Sequence, residues 1–262
     1  MNIPSKILLV FSLTISSSAL KSQDYDYDNL FHNHKSSPDE KKERNLKDYE
    51  SFVLLNLGVA VPVGEYGSTN PLDDNPSFAK TGIDLHLSAG FPIFNFFYSS
   101  TSIGYIKNSA KMDELTSLYR QVFNFNGFNL LEFGYKGYNQ FYLTSGFLVT
   151  GRLDIVSFDF RVQLGASVGI DTEQNFLYSD GTNGYNAISE KASDVSFMPS
   201  LGTSARIKMK ENLLLSVNFD YRHAKYNFTD VQTTINGIPV GSDNYTVKMN
   251  IISAGVGIGL RF

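Results

Sequence analysis

The sequence predicts an all-β chain: an eight-stranded antiparallel up-and-down transmembrane β-barrel with short periplasmic turns and long extracellular loops. Three observations predict it. From Ser51 onward apolar residues recur at every second position, the period of a strand whose two faces meet different surroundings. The segments between these runs alternate strictly between short and long. Ahead of them stands an apolar run too short to cross a bilayer as a helix.

That apolar run comes first in the chain. Lys6 precedes Ile7-Leu8-Leu9-Val10-Phe11-Ser12-Leu13-Thr14-Ile15 and the small-residue stretch Ser16-Ser17-Ser18-Ala19. The order basic, apolar, small is that of a signal peptide, expected over residues 1–22 with cleavage after Ala19 or Ser22. Residues 23–50 carry the mixed charge run Pro38-Asp39-Glu40-Lys41-Lys42-Glu43-Arg44 and no apolar periodicity, so a charged periplasmic linker is expected there. His32 and His34 in this polar tail make a weak case for a metal, and no metal site is expected.

The barrel is expected over residues 51–262. Its clearest strand is 155–168, where Val156, Phe158, Phe160, Val162, Leu164, Ala166 and Val168 form one face. Ser157, Asp159, Arg161, Gln163, Gly165 and Ser167 form the other. Residues 212–223 and 252–262 repeat the pattern, and further strands are expected near 51–63, 79–92, 95–107, 139–151 and 193–208. Each supplies the ~9–11 residues that a tilted membrane-crossing strand needs. An even total suits a closed barrel, since a bilayer admits only structures that satisfy every backbone group internally.

The connections 91–95, 151–154 and 209–211 are short, whereas 65–78, 108–138, 171–192 and 228–245 are long and rich in Gly, Asn, Asp and Ser. Asn236-Gly237 fixes one register, because both positions tolerate positive φ in a two-residue hairpin turn. That turn pairs Ile235 with Ile238, Phe219 with Ala254 and Leu213 with Leu260, unless Pro239 and Gly241 introduce a bulge. In 108–138 the spacing of Leu115, Leu118 and Val122 predicts a short helix over the barrel mouth.

Composition excludes several function classes. With 22 basic against 26 acidic residues the net charge is -4, so no nucleic-acid partner is expected. Cysteine is absent, which removes disulfides, thiolate catalysis and zinc-thiolate sites. The aromatic share of 14%, without Trp, favours strands over helices.

The polar face carries Asp84, His86, Asp159, Arg161, Arg206, Asp220, Arg222 and Arg261. Eight strands enclose a bore just wide enough for side chains to fill, so these charges are expected to pair across the lumen as a plug. An ion path through the bore, a narrow passive channel for small solutes, is the rival. No catalytic residue is expected: Ser88 lies two positions from His86, but no third group marks a nucleophile-base pair, and a lipid-modifying enzyme is the least favoured reading. Tyr178–Gly184 lacks the ligand spacing of a calcium loop and is read as a turn. No cofactor is expected. Phe91, Phe97, Phe158, Tyr221 and Phe262 fall near strand ends on the outward face, where aromatic girdles meet the membrane interface.

Three stretches carry a family resemblance: Gly58-Val59-Ala60-Val61-Pro62-Val63-Gly64, Phe78-Ala79-Lys80-Thr81-Gly82 and Gly255-Val256-Gly257-Ile258-Gly259-Leu260-Arg261-Phe262. Over residues 51–262 the chain resembles the small outer-membrane β-barrel proteins called porin-family or PorT-like, which are similar to the OmpA transmembrane barrel. The resemblance implies an outer-membrane location, with lipid and lipopolysaccharide as surroundings; the eight-strand count places both chain ends on the short-turn side, expected to be the periplasm. The resemblance also implies that Ile258, Leu260 and Phe262 form the terminal signal read by the barrel-assembly machinery. A structural role beside an envelope or secretion-complex protein is the implied function.

Overall fold

The computed structural model describes residues 50–71, 73, 76–209 and 212–262. The expected signal peptide, the linker up to Tyr49 with its two histidines, and the turn residues Lys210 and Glu211 lie outside the described residues. In chain order the elements are β1 (Phe52–Val63), β2 (Gly82–Phe94), β3 (Phe97–Asn108), the helix α1 (Met112–Phe125) and β4 (Asn129–Tyr135). There follow β5 (Tyr138–Leu153), β6 (Val156–Asp171), β7 (Gln174–Ser179) and β8 (Gly184–Ser189). The last three are β9 (Ala192–Lys208), β10 (Leu213–Ile235) and β11 (Ile238–Arg261).

Eight of these strands form a closed antiparallel ring, β1-β2-β3-β5-β6-β9-β10-β11, in which β11 pairs with both β10 and β1. The alternation read from the sequence dictates the two surfaces. Odd residues of β1, β2, β3, β5, β9 and β10 and even residues of β6 and β11 point outward. Leu57, Val217, Phe160 and Val256 are all more than half exposed. An outer wall this apolar, around a polar interior, inverts the order of a soluble protein and is solvated by lipid. Among the described residues no helix is long and apolar enough to cross a membrane; the strands make the crossing.

The apolar band has legible edges. Its lower rim is aromatic, with Phe94 stacked on Phe97 at 5.1 Å and Phe97 on Phe147 at 5.1 Å. At the upper rim Lys107, Asn139, Ile170 and Ser193 lie side by side in register, so the outer face turns polar there. From Phe158 to Val168, ten steps of ~3.3 Å each at a tilt near 40° cover about 25 Å, the height of a lipid-facing band.

The hairpin β10–β11 turns at Asn236-Gly237, with φ of 51° and 79°, and pairs Ile235 with Ile238, Phe219 with Ala254 and Leu213 with Leu260. Two irregularities interrupt the ladder between these pairs, one at Phe228/Val231 and one at Thr233/Thr234. The first adds a residue to β10 and the second adds one to β11. They cancel, so the register read down from the turn survives.

The long connections differ from the loops the sequence suggested. Residues 129–135, 174–179 and 184–189 are strands, and the sheet continues past β10 as β8-β7-β4. The upper ends of β10 and β11 thus belong to a second, five-stranded sheet standing on the barrel. Helix α1 lies in the 108–138 connection as expected, but its buried face is Leu115 with Leu118, Tyr119 and Phe123, whereas Val122 is exposed. Tyr119 and Phe123 pack on Phe133, Phe176 and Tyr178 of the sheet.

Candidate functional site

The interior of the ring is layered from bottom to top. Lowest is an apolar cluster of Phe52, Leu54, Tyr98, Leu148 and Leu214. Above it lies a polar and charged layer, then an aromatic one that opens upward into a vestibule.

The charged layer is built by inward residues of four strands. Asp84 and His86 come from β2, Asp159 and Arg161 from β6, Arg206 from β9, and Asp220 and Arg222 from β10; all seven are at most 6% exposed. Arg222 meets Asp84 at 2.7 Å and Asp220 at 3.4 Å, and Arg161 meets Asp220 at 2.7 Å. Arg206 grips Asp159 through Nε at 2.6 Å and Nη2 at 2.8 Å, the two-pronged geometry that suits guanidinium and carboxylate. Three acids thus meet three arginines, the balance that buried charge demands. The cations also lie over rings, Arg206 3.8 Å above Phe52 and Arg222 4.7 Å from the Tyr142 centroid.

Further polar groups complete the layer. His86 stands 3.2 Å from Asp84 and 3.5 Å from Asn218. Asn56 donates to Ser88 and accepts from Ser216, and Gln163 bridges Ser100, Ser102 and Thr144. Ser88 and His86 thus engage different partners, Asn56 for the one and Asp84 and Asn218 for the other. At Gly202 the wall comes so close that a Cβ would stand 2.0 Å from Asp220 Oδ1. Arg261 faces inward too, but at the lower mouth, ion-paired with Glu50 beside Arg152 and Lys208. It lines that mouth together with Arg206, one member of the cluster with which the sequence grouped it.

The outward residues Ile258, Leu260 and Phe262 are all more than half exposed on the final strand. The Phe262 amide bonds the Ser51 carbonyl at 2.9 Å, so both ends of the ring meet at the short-turn side.

The vestibule was not legible in the sequence. It is a cavity of about 500 Å³ between α1, β4, β5, β6 and β11, with Leu115, Leu118, Tyr119, Tyr135, Tyr138 and Tyr245 in its wall. At its floor Asp171 is 2% exposed, accepting from Tyr135 at 2.6 Å through Oδ1 and from Tyr245 at 2.7 Å through Oδ2. It lies above the lipid band, level with Tyr138 and next to the polar rim. Burial pushes its carboxyl up to about 6, against the opposing effect of the two phenols and the Thr172 amide. The parity of 155–168, carried three residues further, would have placed Asp171 on the inner face.

Within 174–189, Asp180 accepts from the Thr182 and Asn183 amides at 2.8 and 2.7 Å. This is a side-chain-stabilised turn closing the β7–β8 hairpin.

Comparison with protein-family models finds no match, and comparison with curated proteins finds none. Several solved structures are similar in fold. Neisserial surface protein A is 12% identical, with 80% of this chain and 95% of that one covered at a TM-score of 0.38. Ail, the attachment invasion locus protein of Yersinia pestis, is 15% identical, covering 82% and 100% at 0.39. The outer membrane protein OprG from Pseudomonas aeruginosa is 11% identical, covering 81% and 96% at 0.43.

Proposed function

We propose that the chain is an outer-membrane barrel with a closed lumen, whose role is to hold the upper sheet, α1 and the vestibule at the cell surface for binding. The observation that carries this reading is the pairing of Asp84, Asp159 and Asp220 with Arg161, Arg206 and Arg222 inside the ring. A conducting bore needs a continuous water path, and here the inward side chains meet one another across the ring.

In this reading the short turns and both chain ends are periplasmic and the long connections extracellular. Residues 1–22 are the cleaved signal peptide, and 23–50 are a periplasmic linker available to an envelope or secretion-complex partner, as in PorT-like barrels. Ile258, Leu260 and Phe262 act as the strand edge taken up by the assembly machinery through backbone pairing. At the surface the exposed Phe125, Leu131, Ile238 and Val240 offer apolar contact area, with Phe125 92% exposed.

The test is conductance across planar bilayers. The purified barrel is expected to give no steady single-channel current, and long-lived ohmic openings would replace the closed reading with a narrow passive channel. Cross-linking from the linker and from Phe125 in intact cells then identifies the partners on each side.

A further inference from the structure

The buried acids of the barrel fall into two kinds. Asp84, Asp159 and Asp220 each hold an arginine within 2.7 Å. Asp171 is buried as deeply, yet among the described residues it meets no cation; its partners are the Tyr135 and Tyr245 hydroxyls and the Thr172 amide, all neutral donors. These bonds satisfy oxygens without cancelling the charge. A desolvated carboxylate without a counter-charge is costly, and the raised carboxyl of Asp171 records that cost. The charge-balancing rule obeyed in the lumen is left open here, at a place where a cavity begins.

The wall of that cavity specifies what would close it. Among the described residues its charged members are Asp171 and Asp243, with no Lys, Arg or His in the lining. Tyr119, Tyr135, Tyr138 and Tyr245 supply aromatic surface, and Leu115, Leu118 and Val247 supply aliphatic surface. A single buried carboxylate among phenols lacks the several oxygen ligands that a divalent metal ion demands. A volume of about 500 Å³ is of the size that takes an organic molecule. Ring faces attract a positive charge and pack against an apolar body.

We propose that the vestibule binds a small organic cation, an ammonium group carried on an apolar body, with the charge at Asp171 and the body against Tyr119, Tyr138, Leu115 and Leu118. Asp243, on the exposed rim, adds attraction at the entrance.

The full chain, folded in detergent at pH 7.5 and low salt, is titrated with 2-phenylethylamine, 2-phenylethanol and phenylacetate by calorimetry. These probes share a ring and differ in charge. The amine is expected to bind at least tenfold tighter than the alcohol, with phenylacetate weaker still. Asp171→Asn should bring the amine down to the alcohol's affinity, and Ser189→Trp, which fills the cavity without removing a charge, should weaken amine and alcohol together. Equal binding of amine and alcohol, an undiminished amine preference in Asp171→Asn, or no binding of any probe overturns the proposal.

Because Asp171→Asn removes an acceptor from two phenols, the unmodified protein supplies a second reading. Phenyltrimethylammonium keeps its charge at every pH. Its binding should fall at least fivefold as pH drops from 7.5 to 5, while that of 2-phenylethanol holds. The other ionisable groups around Asp171 are Tyr66, Tyr119, Tyr135, Tyr138 and Tyr245, all held neutral by raised pKa values, and Asp243 at the rim. A flat profile for the fixed cation also overturns the proposal.

Discussion

Arg206 holds Asp159 by two bonds of 2.6 and 2.8 Å, and it does so from the adjacent strand with its guanidinium 3.8 Å over the Phe52 ring. The pair therefore ties β6 to β9 and also seats the charged layer on the apolar cluster below. Removing one partner strands the other charge. Arg206→Ala is expected to lower barrel stability by about 3–5 kcal/mol. Arg206→Lys keeps the charge but loses the fork, and should fall between the two. Urea unfolding in lipid vesicles measures both.

Gly202 leaves the space in which Asp220 reaches Arg161. A methyl there would stand 2.0 Å from the Asp220 carboxylate, so Gly202→Ala must push the acid off its arginine. The expected cost is about 1–3 kcal/mol, the usual range for overpacking. Gly151, whose Cβ would meet nothing within 4 Å, is the control and should tolerate Ala within about 0.5 kcal/mol. Equal losses at the two positions would contradict this assignment.

The upper sheet is pinned to the hairpin tip by Asn236, whose amide bonds the Asn186 carbonyl at 2.8 Å while its side chain accepts from the Asn186 amide at 2.8 Å. Asn236→Gly keeps the positive φ that the turn requires and deletes the side-chain bond. Amide exchange in β7 and β8 should rise about fivefold, as expected for a bond worth about 1 kcal/mol, with β10 below Phe228 unaffected.

Asp171 makes the vestibule pH-sensitive in a defined direction. Its folded carboxyl lies at about 6, above the ~3.9 of an unfolded Asp, so between these values the folded form binds the extra proton. Stability is therefore highest below pH 4, falls as pH rises toward 6, and is flat beyond, a total of about 2–3 kcal/mol. Hydrogen exchange of α1 and β4 across pH 4 to 7 should show this fall. Asp171→Asn should abolish it.

Phe262 closes the outward row of the last strand, and its amide joins the two ends of the ring. Deleting it should reduce insertion in cells severalfold, read as the yield of heat-modifiable, protease-resistant barrel. An undiminished yield would remove Phe262 from the assembly signal.

The barrel was legible because a two-residue period acts independently on every strand, and a slip of one residue would have turned a face inside out. Asp84, Asp159, Arg161, Arg206, Asp220 and Arg222 could be placed inward from that period alone. Who pairs with whom could not, since Arg222–Asp84 spans 138 residues of chain and depends on ring closure. The upper strands escaped for another reason. β7 and β8 have six residues each, and an irregularity at Leu130/Glu132 breaks the alternation of β4. The helix itself was legible from the spacing of Leu115, Leu118 and Val122, although its inward face runs through Tyr119 and Phe123 and leaves Val122 exposed.

The two bulges of the tall hairpin make its length a matter of parity. One extra residue stands in β10 near Asp230 and one in β11 at Val240, and between them the strands run one step out of phase. Losing either residue alone would reverse the inside and outside of the tip relative to the barrel; losing both would shorten the tip and leave its faces unchanged. The tip of such a hairpin keeps its two faces through a change of length only when both strands change together.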